Sequence, residues 1–177
     1  MTQVCLLTGR PGTGKTSLIR RVLVGFKGRT GGFYTEEIRS QGIRQGFRLV
    51  TLDGQTAVLA HVDIRSPHRV SKYGVDIAGL ERVGVSALLR ATKENGLIVI
   101  DEIGKMELFS GNFRKVVSQI IDSGQRVLGT IMLSSNPWAD EIKRHPRVNL
   151  ITLTRDNHQQ VDGELCQWLK ANEEAKN

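Results

Sequence analysis

The sequence predicts an α/β fold: a mostly parallel central sheet between helical layers, with an antiparallel β insert around residues 32–61. Three observations predict it. A glycine-rich run, Gly9-Arg10-Pro11-Gly12-Thr13-Gly14-Lys15-Thr16, sits between a short apolar segment and a helix-period segment. An unbroken apolar run, Leu97-Ile98-Val99-Ile100, ends in Asp101-Glu102, the mark of a strand buried on both faces of a parallel sheet. Apolar strands then alternate with helical periodicities to the end of the chain, which implies right-handed crossovers.

The elements follow in order. Val4-Cys5-Leu6-Leu7 reads as a buried strand, and Leu18, Ile19, Val22, Leu23 and Phe26 recur at helical spacing after the glycine-rich run. Residues 28–32 are a turn. Residues 33–38 and 45–52 read as strands, Asp53-Gly54 as a two-residue hairpin signal, and residues 56–61 as a third strand. Residues 62–73, polar and carrying Pro67, read as a loop. Leu80, Val83, Ala87, Leu88 and Ala91 mark an amphipathic helix that ends near Asn95-Gly96. Phe109, Phe113, Val116, Val117, Ile120 and Ile121 mark the next, stopping near Ser123-Gly124. Residues 127–132 are a strand, 137–144 a short helix and 148–153 a strand. Val161, Leu165, Trp168 and Leu169 form a last helix. The expected organisation is one domain over residues 1–170 and a polar, fraying tail at 171–177.

Composition narrows the class. The 177 residues are enough to bury a core. No apolar run approaches the roughly 20 residues of a membrane span, and no secretory signal is visible. Cys5 and Cys166 fall in a predicted strand and a predicted helix and read as buried thiols, and with four scattered histidines they make no zinc pattern. A reducing cytoplasm is the expected compartment. The net charge of +7 favours polyanionic partners. The arginines at 39, 44, 48, 65, 69 and 82 form no dense run and have no interleaved aromatics, which argues against nucleic-acid binding as the main role. A monomer is expected, since no coiled coil or long exposed apolar stripe shows.

Gly9 to Thr16 fits the phosphate-binding loop pattern, Gly, four residues, Gly-Lys-Thr, in its required strand–loop–helix context. Glycines let the backbone curl so that successive N–H groups converge, and the following helix adds its free N–H groups and dipole. Lys15 is placed to reach β- and γ-phosphate oxygens and the Thr16 hydroxyl to bind Mg²⁺. Residues 97–102 fit the second half of such a site. The strand carries Asp101 to its C-terminal end, where it holds Mg²⁺ together with Thr16, and Glu102 is placed to polarise a water in line with the γ-phosphate. The nucleotide-binding candidates that the two patterns give are therefore Gly9, Arg10, Pro11, Gly12, Thr13, Gly14, Lys15 and Thr16, with Asp101 and Glu102. Lys15 and Glu102 are the catalytic candidates. Arg39, Arg69, Lys72, Lys105 and Arg155 are candidates for the further positive charge a transition state needs. Thr130, in the strand after Asp101, is placed either to sense the γ-phosphate or simply to fill a strand position.

Several runs together resemble the small P-loop nucleoside-triphosphatase family, which includes thermophile enzymes and a human cancer-related member. They are Gly32-Phe33-Tyr34-Thr35-Glu36-Glu37-Ile38-Arg39, Gly46-Phe47, Arg69-Val70-Ser71-Lys72-Tyr73, and Asp101-Glu102-Ile103-Gly104-Lys105-Met106-Glu107-Leu108. The resemblance covers residue 3 to about residue 165. It implies a three-layer P-loop NTPase fold and slow, Mg²⁺-dependent hydrolysis of ATP, GTP and other nucleoside triphosphates to diphosphate and phosphate, with broad base specificity. It also implies that Gly9 to Thr16 and the run Leu97, Ile98, Val99, Ile100, Asp101, Glu102, Ile103 and Gly104 are the nucleotide-binding segments, that Glu102 is the base and that Lys105 fills a basic position of the motif. Two departures stand out: Ser71 replaces a usual Gly, and Thr154-Arg155-Asp156-Asn157 replaces a Thr, basic, Glu, Asn run. In the latter the Arg155 guanidinium is a candidate to stack on the base.

Two other readings stay open at this point. A nucleoside or nucleotide kinase would need an acceptor pocket and a lid, for which residues 62–73, with Arg65, His68, Arg69 and Lys72, are the candidate. A nucleotide-dependent RNA-binding or switch module would bind RNA in a steeply salt-dependent way.

Overall fold

The computed structural model describes residues 2–94 and 96–174, with the backbone alone for residues 172–174. Its described strands form a single sheet in the order β5-β6-β4-β3-β2-β7-β8-β1-β9. The parallel part joins β2 (Thr30–Ser40), β7 (Leu97–Ile103), β8 (Val127–Ile131), β1 (Val4–Thr8) and β9 (Val148–Thr152). The antiparallel part runs from β2 through β3 (Ile43–Thr51), β4 (Thr56–His61) and β6 (Tyr73–Val75) to β5 (Arg69–Val70). β2 belongs to both: residues 30–33 pair with β7, and residues 33–40 with β3. The insert is therefore an extension of the central sheet.

Side-chain alternation builds a core on each face. Along β1, Val4 and Leu6 enter one cluster and Cys5 and Leu7 the other; along β7, Ile98 and Ile100 divide in the same way from Leu97 and Val99. The first face is covered by α3 (Ser86–Lys93), α4 (Gly111–Asp122) and α5 (Pro137–Arg144), through Leu88, Phe113, Val117, Ile120 and Ile142. The second is covered by α1 (Lys15–Val24) and α6 (His158–Glu174), through Leu18, Ile19, Val161 and Leu165. Each such leucine or isoleucine contributes roughly 1.5–3 kcal/mol by leaving water. Cys5 is buried and Cys166 only half-buried. Desolvation, with the charge of Glu164 adding to it, pushes the Cys5 thiol up to about 12, so Cys5 behaves as a small apolar group.

Several boundaries differ from the sequence reading; β2 already begins at Thr30, inside the expected turn at 28–32, because its first residues pair with β7. Residues 62–73 are not all loop: β5 and β6 form a hairpin, pairing Arg69 with Gly74 and Val70 with Tyr73. A two-residue strand is too short to show a periodicity. The helix around Leu80 starts earlier, as α2 (Ile77–Gly79), and continues through a π turn at Leu80–Val85 into α3. Asp76 caps it by accepting from the Gly79 N–H at 2.9 Å. Of its expected end near Asn95-Gly96, Asn95 lies outside the described residues. Phe109 is not on the face of α4. It sits in a 3-10 turn, Glu107–Phe109, and Ser110 caps α4 by accepting from the Phe113 N–H at 3.0 Å. Finally, α6 runs to Glu174, so residues 171–174 continue the helix, while 175–177 lie outside the described residues.

Candidate active site

The carboxyl ends of β1, β7 and β8 lie together, and the candidate residues gather there, where ligands bind in open α/β sheets. β1 ends at Thr8 and the chain turns through Gly9 to Gly14 into α1. Gly9 has φ +152°, and a Cβ there would collide with the Leu153 carbonyl oxygen; glycine alone fits so close a backbone approach. Thr13 closes the loop, its hydroxyl donating to the Arg10 carbonyl at 3.0 Å. Lys15 folds over the loop, and its ammonium donates to the carbonyls of Gly9 and Arg10, both at 3.0 Å. Its charge is thus held over the concavity of backbone N–H groups that a phosphate would enter.

Asp101 and Glu102 come to this site through a β-bulge. Ile100 pairs with Gly129 and Ile103 with Ile131, so two residues of β7 oppose the single Thr130 of β8. In a regular strand, neighbours point to opposite faces; the bulge re-aims the pair. Asp101 is buried, and its Oδ1 accepts from the Thr130 hydroxyl at 2.6 Å. Burial raises its pKa, against the hydroxyls of Thr130 and Thr16 and the charges of Lys15 and Arg20. Its Oδ2 is buried with no hydrogen-bond partner. A buried carboxylate oxygen that makes no hydrogen bond, with the Thr16 hydroxyl near the same carboxylate, suits a hard cation with oxygen ligands such as Mg²⁺.

Glu102 lines a cleft of about 550 Å³ together with Gly9, Pro11, Lys15 and Lys105. Burial, and then the charge of Asp101, raise its pKa, while Lys15 lowers it. A second carboxyl in this wall has no spacing in the sequence to mark it. Glu107 is 4% exposed and accepts from the Gly104 N–H at 3.1 Å. Desolvation, with the charge of Glu102 next, pushes it well above the usual carboxylate range, against the N–H groups of Glu107 and Gly104. A Cβ at Gly104 would collide with Glu102 and crowd Glu107. Glycine there lets both carboxyls meet one short turn. The tight loop after β7 buries Glu107, and no local sequence signal marks that.

The remaining candidates separate. Lys105 is exposed on the cleft wall. Arg69 turns away, its guanidinium donating to the carbonyls of Lys72 at 2.7 Å and Ile64 at 3.4 Å, and it does not line the cleft. Arg155 is exposed between β9 and α6, in a turn closed by Thr154 and Asn157, where the Thr154 N–H donates to Asn157 Oδ1 at 2.8 Å. Arg39 is tied to Glu37 and the Gly42 carbonyl. The main unanticipated feature is an apolar far wall, supplied by Phe47 and Leu59 of the insert, Val70 of β5, and Met106, Met132 and Leu133. These residues come from distant parts of the chain, and only the sheet order assembles them.

The chain matches a family described as NTPase over residues 4–166. It is 48% identical to the nucleoside-triphosphatase THEP1 of Thermotoga sp. (strain RQ2), over 94% of this chain and 95% of that protein. Its fold is similar to the crystal structure of THEP1 from Aquifex aeolicus, with a TM-score of 0.86, 36% identity, and coverage of 94% of this chain and 98% of that one. It is also similar to the solution structure of a human cancer-related nucleoside triphosphatase, with a TM-score of 0.79, 34% identity, and coverage of 97% and 98%. With a glycine-rich loop after β1, a bulged Asp-Glu pair on β7 and these likenesses over nearly the whole chain, this protein belongs to the NTPase family of nucleoside-triphosphatases.

Proposed function

We propose that this protein hydrolyses nucleoside 5'-triphosphates to diphosphate and phosphate, as a single domain, a monomer and a cytoplasmic enzyme. The observation that carries the reading is the cleft in which Lys15 and Glu102 face the same space beside buried Asp101. The backbone N–H groups of the loop from Gly9 to Gly14, all but that of Pro11, which has none, and the Lys15 ammonium bind the β- and γ-phosphates. Asp101 Oδ2 and the Thr16 hydroxyl would hold Mg²⁺, which would supply positive charge against the negative charge of the triphosphate. Glu102, as carboxylate, orients a water and accepts its proton as the water oxygen bonds to the γ-phosphorus and the bond to the β-phosphate oxygen breaks. Lys105 stands on the same wall and supplies positive charge to the γ-phosphate oxygens. Arg155 stacks on the base from the β9–α6 turn. That turn carries no Asn-Lys-x-Asp guanine signature, which supports broad base use.

Among the described residues no helix is long and apolar enough to cross a membrane. Phosphate released from ATP, GTP, CTP and UTP with Mg²⁺ and no acceptor tests the reading. Steady release from several of them, lost in Lys15→Ala, is expected. Bound nucleotide without release from the wild type would sink it.

A further inference from the structure

The cleft continues past Glu102, and that continuation has a chemistry that hydrolysis does not use. Its orientation rests on the reading above. Lys15 and Asp101 take the β- and γ-phosphates, so the γ-phosphate points towards Glu102, and the base leaves on the side of β9 and α6. Beyond Glu102 the wall is apolar: Phe47, Leu59, Val70, Met106 and Met132. An attacking water gains nothing from such a wall, whereas a small organic molecule does. Aromatic and methionine side chains suit a flat group in particular.

This limb opens onto a basin lined by Arg39, Arg44, Lys72 and Tyr73, with Phe47, Val70 and Met106 shared between the two. The basin is positively charged. Arg39 and Arg44 both pair with one carboxylate, Glu37, at 2.6 and 2.9 Å. Lys72 adds a third cation, its ammonium 5.6 Å from the centre of the Tyr73 ring. The walls are braced: Arg44 donates to the Tyr73 hydroxyl at 3.1 Å and lies 5.2 Å from the centre of the Phe47 ring, which meets Tyr73 edge-on.

We propose that limb and basin form a subsite for a second small molecule, an anion with a flat apolar body, held beside the γ-phosphate while nucleotide is bound. The apolar body fills the limb against Phe47, Val70 and Met106, and the anionic group meets Arg44 and Lys72.

The probe is 8-anilinonaphthalene-1-sulfonate, flat, apolar and anionic, followed by fluorescence on the whole chain with saturating ADP and Mg²⁺. Its neutral counterpart is N-phenyl-1-naphthylamine. Saturable binding of one sulfonate per chain is expected in the presence of ADP. Lys72→Glu should weaken it about tenfold by reversing one near charge, without affecting the neutral probe. Val70→Glu, checked for folding by circular dichroism, should abolish both. Displacement of the sulfonate by bound ADP, non-saturating binding, or unchanged affinity in either variant would overturn the subsite. ADP binding is measured separately by calorimetry: failure there would sink the nucleotide reading, and the orientation of the subsite with it, whereas displacement by bound ADP sinks the subsite alone.

Discussion

The Thr130 hydroxyl donates to Asp101 Oδ1 at 2.6 Å, across the bulge that sets two residues of β7 against one of β8. This bond occupies one carboxylate oxygen and leaves Oδ2, the atom proposed to meet the cation, without a hydrogen bond. Thr130 is therefore a positioning residue for Asp101. Thr130→Val keeps the shape and removes the donor; a hydrogen bond to a charged group is worth about 1.5–3 kcal/mol. The half-saturating Mg²⁺ concentration for phosphate release should rise about tenfold or more, read from Mg²⁺ titrations at fixed ATP. An unchanged requirement would remove Thr130 from this role.

The base role proposed for Glu102 requires it to be ionised, and burial and Asp101 both raise its pKa. The acid limb of kcat/KM for phosphate release should therefore lie above the ordinary glutamate value of 4.5, with activity rising as pH rises through it. Glu102→Gln should lower kcat about 10²–10⁴-fold, the usual worth of a general base, with little change in ADP affinity, and should erase that limb. A surviving limb in the variant would assign it to another group.

The buried Glu107 carboxyl stays protonated in the fold at pH values where it would ionise in the unfolded chain. The folded state thus binds the extra proton, and this stabilising term is fully present below the unfolded value near 4.5 and fades as pH rises through the raised folded value. Glu107→Gln keeps an oxygen to accept from Gly104 and has no proton to lose. In thermal melts from pH 5 to 9, the variant should gain on the wild type as pH rises. A constant difference across that range would show that Glu107 is ionised in the fold.

Ser71 sits at φ +53°, in the turn between β5 and β6. That is the left-handed region, in which a Cβ is strained and glycine is not. Ser71→Gly should stabilise the fold by about 0.5–1 kcal/mol, the difference between relieved strain and added chain entropy. Denaturant midpoints at constant slope provide the check.

The sequence by itself determined the glycine-rich loop between strand and helix, the strand that presents Asp101 and Glu102, and the alternation behind a parallel sheet. All three are local: a fixed spacing of Gly9, Gly14, Lys15 and Thr16, and an apolar run whose end is marked by charge. Ser71 was legible in a weaker sense, as a serine at a position where the resemblance leads one to expect glycine, and its positive φ gives the reason. The tertiary structure alone decided the rest. The pairing of Thr130 with Asp101 depends on which strand lies beside β7, and no spacing encodes strand order. Glu107 reads as an ordinary charged residue until the turn after β7 buries it. Arg69 and Lys105 look alike as cations, yet backbone carbonyls hold one away from the cleft while the other lines it. The apolar limb draws Phe47, Leu59, Val70 and Met132 from four separate stretches of chain. Contacts between distant residues arise from packing and sheet topology, whereas a motif records only what neighbours along the chain do together.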